Sequence, residues 1–187
     1  MSLQTWRETL IVASTDGTTL TAAAAATCIP ATARFTLPAN YWTIGRQLKI
    51  TASGRISSVI TTPGTARFDI RMGAAGNTVV FDSLAILLDT VAAHTTVGWY
   101  LEILMTCRAI GTAANFMGQG KWTCEDILGT PAAAPKGSLT AILPWNAAPA
   151  VGGNFDSTVT NIVDMFFTQT VATGSMTLHQ YSAVACN

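Results

Sequence analysis

The stretch Gly98-Trp99-Tyr100-Leu101-Glu102-Ile103-Leu104-Met105-Thr106-Cys107-Arg108 decides the fold. In an extended backbone, successive side chains point to opposite faces. Trp99, Leu101, Ile103, Met105 and Cys107 then share one face, and Tyr100, Glu102, Leu104, Thr106 and Arg108 the other. The first set is apolar throughout and belongs to a core. The second mixes ionic and apolar groups, as a face half covered by a neighbour would. The same period of two runs through Ala66-Arg67-Phe68-Asp69-Ile70-Arg71-Met72, with Phe68, Ile70 and Met72 on the core side. No segment sustains a helical period. The Ala-rich pieces at Thr21 to Thr27 and Ala132 to Ala134 are long enough for a single helical turn only.

The rest of the chain reads as further strands separated by Gly and Pro. Leu10 to Ser14 is a first strand, and Asp16-Gly17 after it is a hairpin signal, because Gly accepts positive φ. Arg34-Phe35-Thr36-Leu37 runs into a loop at Pro38-Ala39-Asn40. Leu48 to Ser57 is a long strand in which Gly54 predicts a bulge or bend. Pro63-Gly64 and Gly73 to Asn77 are turns, and Thr78 to Phe81 a short strand. Asn115 to Thr123 is the hairpin partner of the 98–108 strand. Residues 129–154 are rich in Gly, Pro and Ala, with Leu139 to Leu143 as their one strand candidate; this is a long surface loop reaching toward a neighbour. Val159 to Thr170 and Met176 to Val184 close the chain around a turn at Gly174.

The expected fold is all-β: an antiparallel two-sheet sandwich, jelly-roll-like, of roughly eight to ten strands. Residues 1–14 form an N-terminal arm carrying the first strand. Residues 15–187 form a single β-sandwich domain with the long loop at 129–154. No internal repeat points to a propeller or β-helix.

Composition bears on function. Charged residues make up 11% of the 187 positions and hydrophobic residues 49%, with ten basic and ten acidic side chains and a formal net charge of zero. A soluble domain ordinarily carries about a quarter charged residues. A surface this poor in charge suits a subunit that touches other protein over much of its area. The basic residues are scattered and no two are adjacent, so strong non-specific nucleic-acid binding is not expected, although a minor basic face remains open. No apolar run reaches the length of about eighteen residues that a spanning helix needs, and no membrane association is expected. The N-terminus has no basic segment leading into an apolar one, so no secretion signal is read. Folding in a reducing cytoplasm follows. Cys28, Cys107, Cys124 and Cys186 match no paired-cysteine framework and are expected as buried thiols. Cys107 and Cys124 fall on neighbouring strands, but the compartment disfavours a disulfide between them.

No catalytic, cofactor-binding or metal-ligating site is expected, and the chain is not read as an enzyme. His94 lies in a loop before a strand, and His179 on a strand with its ring toward solvent or a partner. No serine sits in a nucleophile-elbow pattern. Glu125-Asp126, the adjacent carboxylates, point to opposite faces if the strand continues through them. Gly118-Gln119-Gly120 and Gly152-Gly153-Asn154 lack the frame of a phosphate loop and read as turns. Trp42, Trp99 and Trp122 are expected in packing. Trp145, in Leu143-Pro144-Trp145-Asn146, is the tryptophan best placed to stack on a sugar.

Several blocks recur in a recognisable order: Trp6 to Gly17, Arg34-Phe35-Thr36-Leu37-Pro38, Gly45-Arg46-Gln47-Leu48-Lys49-Ile50, Met117-Gly118-Gln119-Gly120, Phe155-Asp156-Ser157-Thr158 and Leu178-His179-Gln180-Tyr181. Across nearly its full length the chain resembles small tailed-bacteriophage and prophage virion structural proteins. Within them it is most similar to head cement or decoration proteins with a jelly-roll body. The ending Ala183-Val184-Ala185-Cys186-Asn187 departs from the more usual acidic-apolar finish. The resemblance implies a place in the virion, on the capsid, with the major capsid protein as partner and self-association as a homotrimer. A tail-fibre or receptor-binding module that holds a host glycan through Trp145 is the alternative, and a small hydrolase using His94 or His179 ranks last. The contact to a partner is expected from residues 1 to 14 and the 129–154 loop.

Overall fold

The structure, a computed structural model, describes residues 6–127 and 140–186. Twelve strands are found among them. In chain order they are β1 (Arg7–Val12), β2 (Ala25–Thr27), β3 (Phe35–Leu37), β4 (Gln47–Ser58), β5 (Thr65–Met72), β6 (Thr78–Asp82), β7 (Ile86–Leu87), β8 (His94–Ala109), β9 (Asn115–Cys124), β10 (Thr140–Leu143), β11 (Asn161–Gln169) and β12 (Ser175–Cys186). The number exceeds eight to ten because β2, β3 and β7 have two or three residues each, too few for an alternating pattern to register.

The strands form two antiparallel sheets. One has the order β1-β12-β4-β8-β9-β10, and the other β2-β11-β5-β6, with β3 on β11 and β7 on β5. The chain passes back and forth between the sheets as it runs. The quartet β1-β12-β4-β8 faces β2-β11-β5-β6, which is jelly-roll wrapping. The β9–β10 pair widens the first sheet beyond that quartet.

The core lies between the sheets and follows the alternation. Phe68 of β5 is fully buried; its ring lies 5.2 Å from Trp99, 5.2 Å from Trp122 and 5.1 Å from Phe167. Trp42 packs edge-on to Phe116 at 4.7 Å, and Phe116 stacks on Phe155 at 5.5 Å. Each such aromatic pair adds roughly 0.5–1.5 kcal/mol to the area that its rings bury.

The Asp16-Gly17 pair makes no hairpin. The chain runs on along β12, with Ala13 N–H donating to Tyr181 O, Gly17 N–H to Leu178 O and Leu20 N–H to Met176 O. Gly17 has no positive φ. Its hydrogen makes room for the Cys28 carbonyl oxygen, which a Cβ there would meet at 2.0 Å. Around Gly54 the irregularity sits on the partner strand: β12 shifts register between Leu178 and Gln180, so His179 is the bulged residue. The Thr21 to Thr27 piece contains strand β2, paired through Thr27 with Phe166, and the described helical turn is at Ala31–Ala33.

Of the expected 129–154 loop, residues 129–139 and the Ala132 to Ala134 turn lie outside the described residues. Residues 140–154 are bound back to the body. Strand β10 pairs with β9. Trp145 N–H then donates to Ser83 O, Gly152 N–H to Phe116 O and Gly153 N–H to Val79 O. This segment straps β6 of one sheet to β9 of the other. A Cβ at Gly152 would stand 1.9 Å from Val80 O, so the strap sits closely because that residue has no side chain.

Candidate functional site

The alternation in β8 that defines the core also sets what the six-stranded sheet shows on its other side. Cross-strand register places Val12, Ser182, Thr51, Glu102, Lys121 and Ile142 in one row across all six strands. The next row toward one end runs Val184, Lys49, Leu104 and Gln119. Toward the other end lie Gln180, Ser53, Tyr100, Thr123 and Thr140. Short hydroxyl and amide side chains tie the rows together. Gln47 Nε2 donates to Thr106 Oγ1 at 3.2 Å, and the Thr123 and Thr140 hydroxyls meet at 3.0 Å. Lys49 Nζ lies 3.0 Å from Glu102 Oε2. Its hydrogen bond holds the Glu102 carboxyl below the usual carboxylate range, and Lys121 adds to that.

Apolar side chains stand out of this polar lattice. Tyr100 is 39% exposed, Leu104 41% and Ile142 64%. Tyr100 separates two hollows of about 380 Å³ each. One is lined by Val12, Ala13, Thr51, Ser53, Gln180 and Ser182, and the other by Gly98, Trp99, Thr123, Cys124 and Glu125. The second hollow opens where Gly98 has no side chain to fill it. A ridge of one aromatic residue between two shallow depressions, on a surface of Thr, Ser and Gln, suits a complementary protein surface. Sequence reading identified the mixed face of β8. It did not identify the rows, because they depend on the registers of five strand pairs.

His94 and the adjacent carboxylates are placed differently from expectation. His94 is the first residue of β8 rather than a loop residue, and Nε2 lies 2.9 Å from Asp89 Oδ2. Glu125 and Asp126 occupy the turn after β9 rather than a continuing strand. Asp126 is fully buried. It accepts from Ser58 Oγ at 2.7 Å and from Asp89 N–H at 3.2 Å. Burial pushes its carboxyl above the usual range, an effect that the Ser58 hydrogen bond reduces. For Asp89 desolvation acts upward, but hydrogen bonds from His94 and from the backbone at Val91 and Ala92 outweigh it and lower the carboxyl. Ser58, Asp126, Asp89 and His94 therefore come together, although the sequence scatters them. Ser58 donates to Asp126 and His94 pairs with Asp89, so the serine–histidine bond of a nucleophile pair does not form. The cluster clasps the 89–94 segment to the 125–127 turn. His179, at its bulge, places Nδ1 3.0 Å from Asp16 Oδ2.

Trp42, Trp99 and Trp122 are buried in packing, as their sequence contexts indicate. Trp145 is half-buried against the core at the start of the strap. Cys107 stands opposite Phe116 and Cys124 opposite Trp99. Those positions are far apart along the β8–β9 ladder, on the order of 25 Å at strand spacing, so no disulfide joins them. All four cysteines are free thiols, and burial pushes Cys124 up to about 12. Among the described residues no group of three or more His, Cys, Asp or Glu side chains is arranged to hold a metal ion. No helix there is long and apolar enough to cross a membrane. The chain matches no family model, no curated protein and no solved structure.

Proposed function

We propose that this protein is a virion structural subunit, a cement or decoration protein that binds the outer shell of a phage capsid. In this reading it self-associates as a homotrimer, and the major capsid protein is its partner. The observation that carries the reading is the outer face of the six-stranded sheet, where Tyr100, Leu104 and Ile142 stand exposed among Thr, Ser and Gln side chains, with Lys49, Glu102 and Lys121 between them. Covering such a face removes apolar area from water at about 25 cal/mol per Å². Part of the polar lattice is already paired across strands, at Gln47–Thr106, Thr123–Thr140 and Lys49–Glu102, which lowers the desolvation cost of contact there. Many copies on one shell add their contacts, and weak individual binding becomes stable coverage. A subunit that prefers the expanded shell to the free or immature state shifts the shell toward expansion.

The test is co-sedimentation of the purified protein with expanded shells of its phage, followed by heating. Saturable binding at a fixed number of copies per shell, with a higher melting temperature of the decorated shell, is expected. Shells that leave the protein in the supernatant overturn the reading.

A further inference from the structure

We infer that the outer face of the six-stranded sheet docks onto an acidic protein surface, with a rim of basic side chains around the Tyr100–Leu104 centre. The inference rests on the assembly reading above and supplies the docking face and the chemistry of the partner.

The net charge of zero conceals an uneven distribution. On the four-stranded sheet each arginine is matched. Arg34 Nε lies 2.7 Å from Asp164 Oδ2, Arg67 forms a two-point pair with Asp82, and Arg71 Nε lies 2.5 Å from Asp69 Oδ1. Arg71 also lies over the Phe166 ring at 3.7 Å. That face is neutral and its charges are already paired.

The six-stranded sheet differs. Arg7, Lys49, Arg55 and Lys121 occupy outward strand positions on β1, β4 and β9. Arg108 is exposed at the register shift that ends β8. Among the described residues the one acid in an outward strand position of this face is Glu102, held between Lys49 and Lys121. Glu125 lies just beyond it, in the turn after β9. Half of the chain's ten basic residues thus gather on or around one face, where the acids nearby are Glu102, Glu125 and, beside Arg7 on the edge strand, Glu8.

The chemistry of the face narrows the occupant. A second copy placed face to face would set these bases against one another, and like charges across a contact are strongly disfavoured. A nucleic acid would call for a denser run of phosphate contacts, and its backbone has no use for Leu104, Ile142 and Val184. Arginine and tyrosine around an apolar centre are the composition of a protein–protein contact. Opposite charge on the partner supplies orientation and speeds encounter.

The experiment uses the full chain, poly-L-glutamate as probe, and duplex DNA and anionic lipid vesicles as competitors at low salt. Amide NMR shifts on poly-L-glutamate addition are expected to map to β4, β8 and β9. The triple variant Arg55→Glu, Arg108→Glu, Lys121→Glu is expected to weaken binding by roughly tenfold or more while its circular dichroism stays unchanged. Shifts that map to the four-stranded sheet overturn the inference, as does tighter binding of DNA or vesicles than of poly-L-glutamate, or absence of binding. The same variant separates the two proposals on shells. If wild-type protein binds shells and the variant binds equally, the docking face is wrong and the cement reading stands. If wild-type protein does not bind shells, the cement reading fails, and the poly-L-glutamate map still decides the basic face.

Discussion

Asp126 has been taken out of water, and its Oδ2 has no hydrogen-bond partner. Ser58 Oγ and Asp89 N–H bond to Oδ1, while Asp89 and His94 are the ionisable groups acting on it, with the Cys124 thiol accepting from its backbone N–H at 3.4 Å. Because burial raises its carboxyl above the usual range, the folded state holds the proton more tightly than the unfolded chain does. That contribution is complete at pH below the ordinary carboxylate value. It is lost as pH rises through the folded value. Asp126→Asn keeps an oxygen to accept both hydrogen bonds and cannot ionise. It is expected to be more stable than the parent at neutral pH, and to lose the parent's decline in stability as pH rises from about 4. Urea unfolding at a series of pH values checks this, and an identical pH slope in parent and variant refutes it.

Gly17 and Gly54 show what single positions conceal in sequence. A glycine after aspartate between β-forming residues signals a positive φ, yet Gly17 has none and is required by a carbonyl 2.0 Å from where its Cβ would be. At Gly54 the Thr177 carbonyl oxygen stands at the same 2.0 Å, and the bulge it signals appears in the neighbouring strand. Both glycines mark close backbone approach, which one sequence cannot distinguish from turn geometry.

Strand β1 is an edge strand held by β12 on one side, and two side chains at its start, Trp6 and Glu8, reach other elements. Glu8 accepts from the Tyr41 hydroxyl at 3.3 Å, and the Arg46 guanidinium lies over Trp6 at 5.7 Å and over Tyr41 at 4.5 Å. Removing residues 1 to 8 takes away Trp6, Arg7 and Glu8 but leaves the rungs from Thr9 to Val12 and the backbone bonds of Ala13, Gly17 and Leu20 to β12. The truncated chain is expected to keep its β-sheet circular dichroism and to lose about 1–2 kcal/mol of stability. It is also expected to bind shells more weakly, because Arg7 leaves the basic rim. Loss of the fold would refute the view that these residues serve contact more than architecture. Long strands of this kind were legible from alternation alone, as β8 and β5 show. The short β2, β3 and β7 were not, since their pairing is dictated by neighbours that lie far away in sequence.

The charge segregation belongs to the whole molecule and is invisible along the chain, where no two basic residues are adjacent. Arg7, Lys49, Arg55 and Lys121 become one surface only because β12 and β8 hold β1, β4 and β9 in register. That arrangement constrains how copies associate. If the basic face is kept for an acidic partner, trimer contacts must use other surfaces, such as the strap around Pro144, Ala148 and Val151, which line a hollow of about 250 Å³. Contacts of that apolar kind are insensitive to ionic strength, because screening acts on charges. Light scattering on a sizing column is therefore expected to give three times the 19.6 kDa chain mass, unchanged between low and high salt and unchanged in the Arg55→Glu, Arg108→Glu, Lys121→Glu variant. A trimer that dissociates in that variant would place the self-contact on the basic face and exclude it as the docking surface for a separate acidic partner. A monomer at every salt concentration would remove the homotrimer and leave the exposed ridge of Tyr100 and Leu104 to be covered by the partner alone.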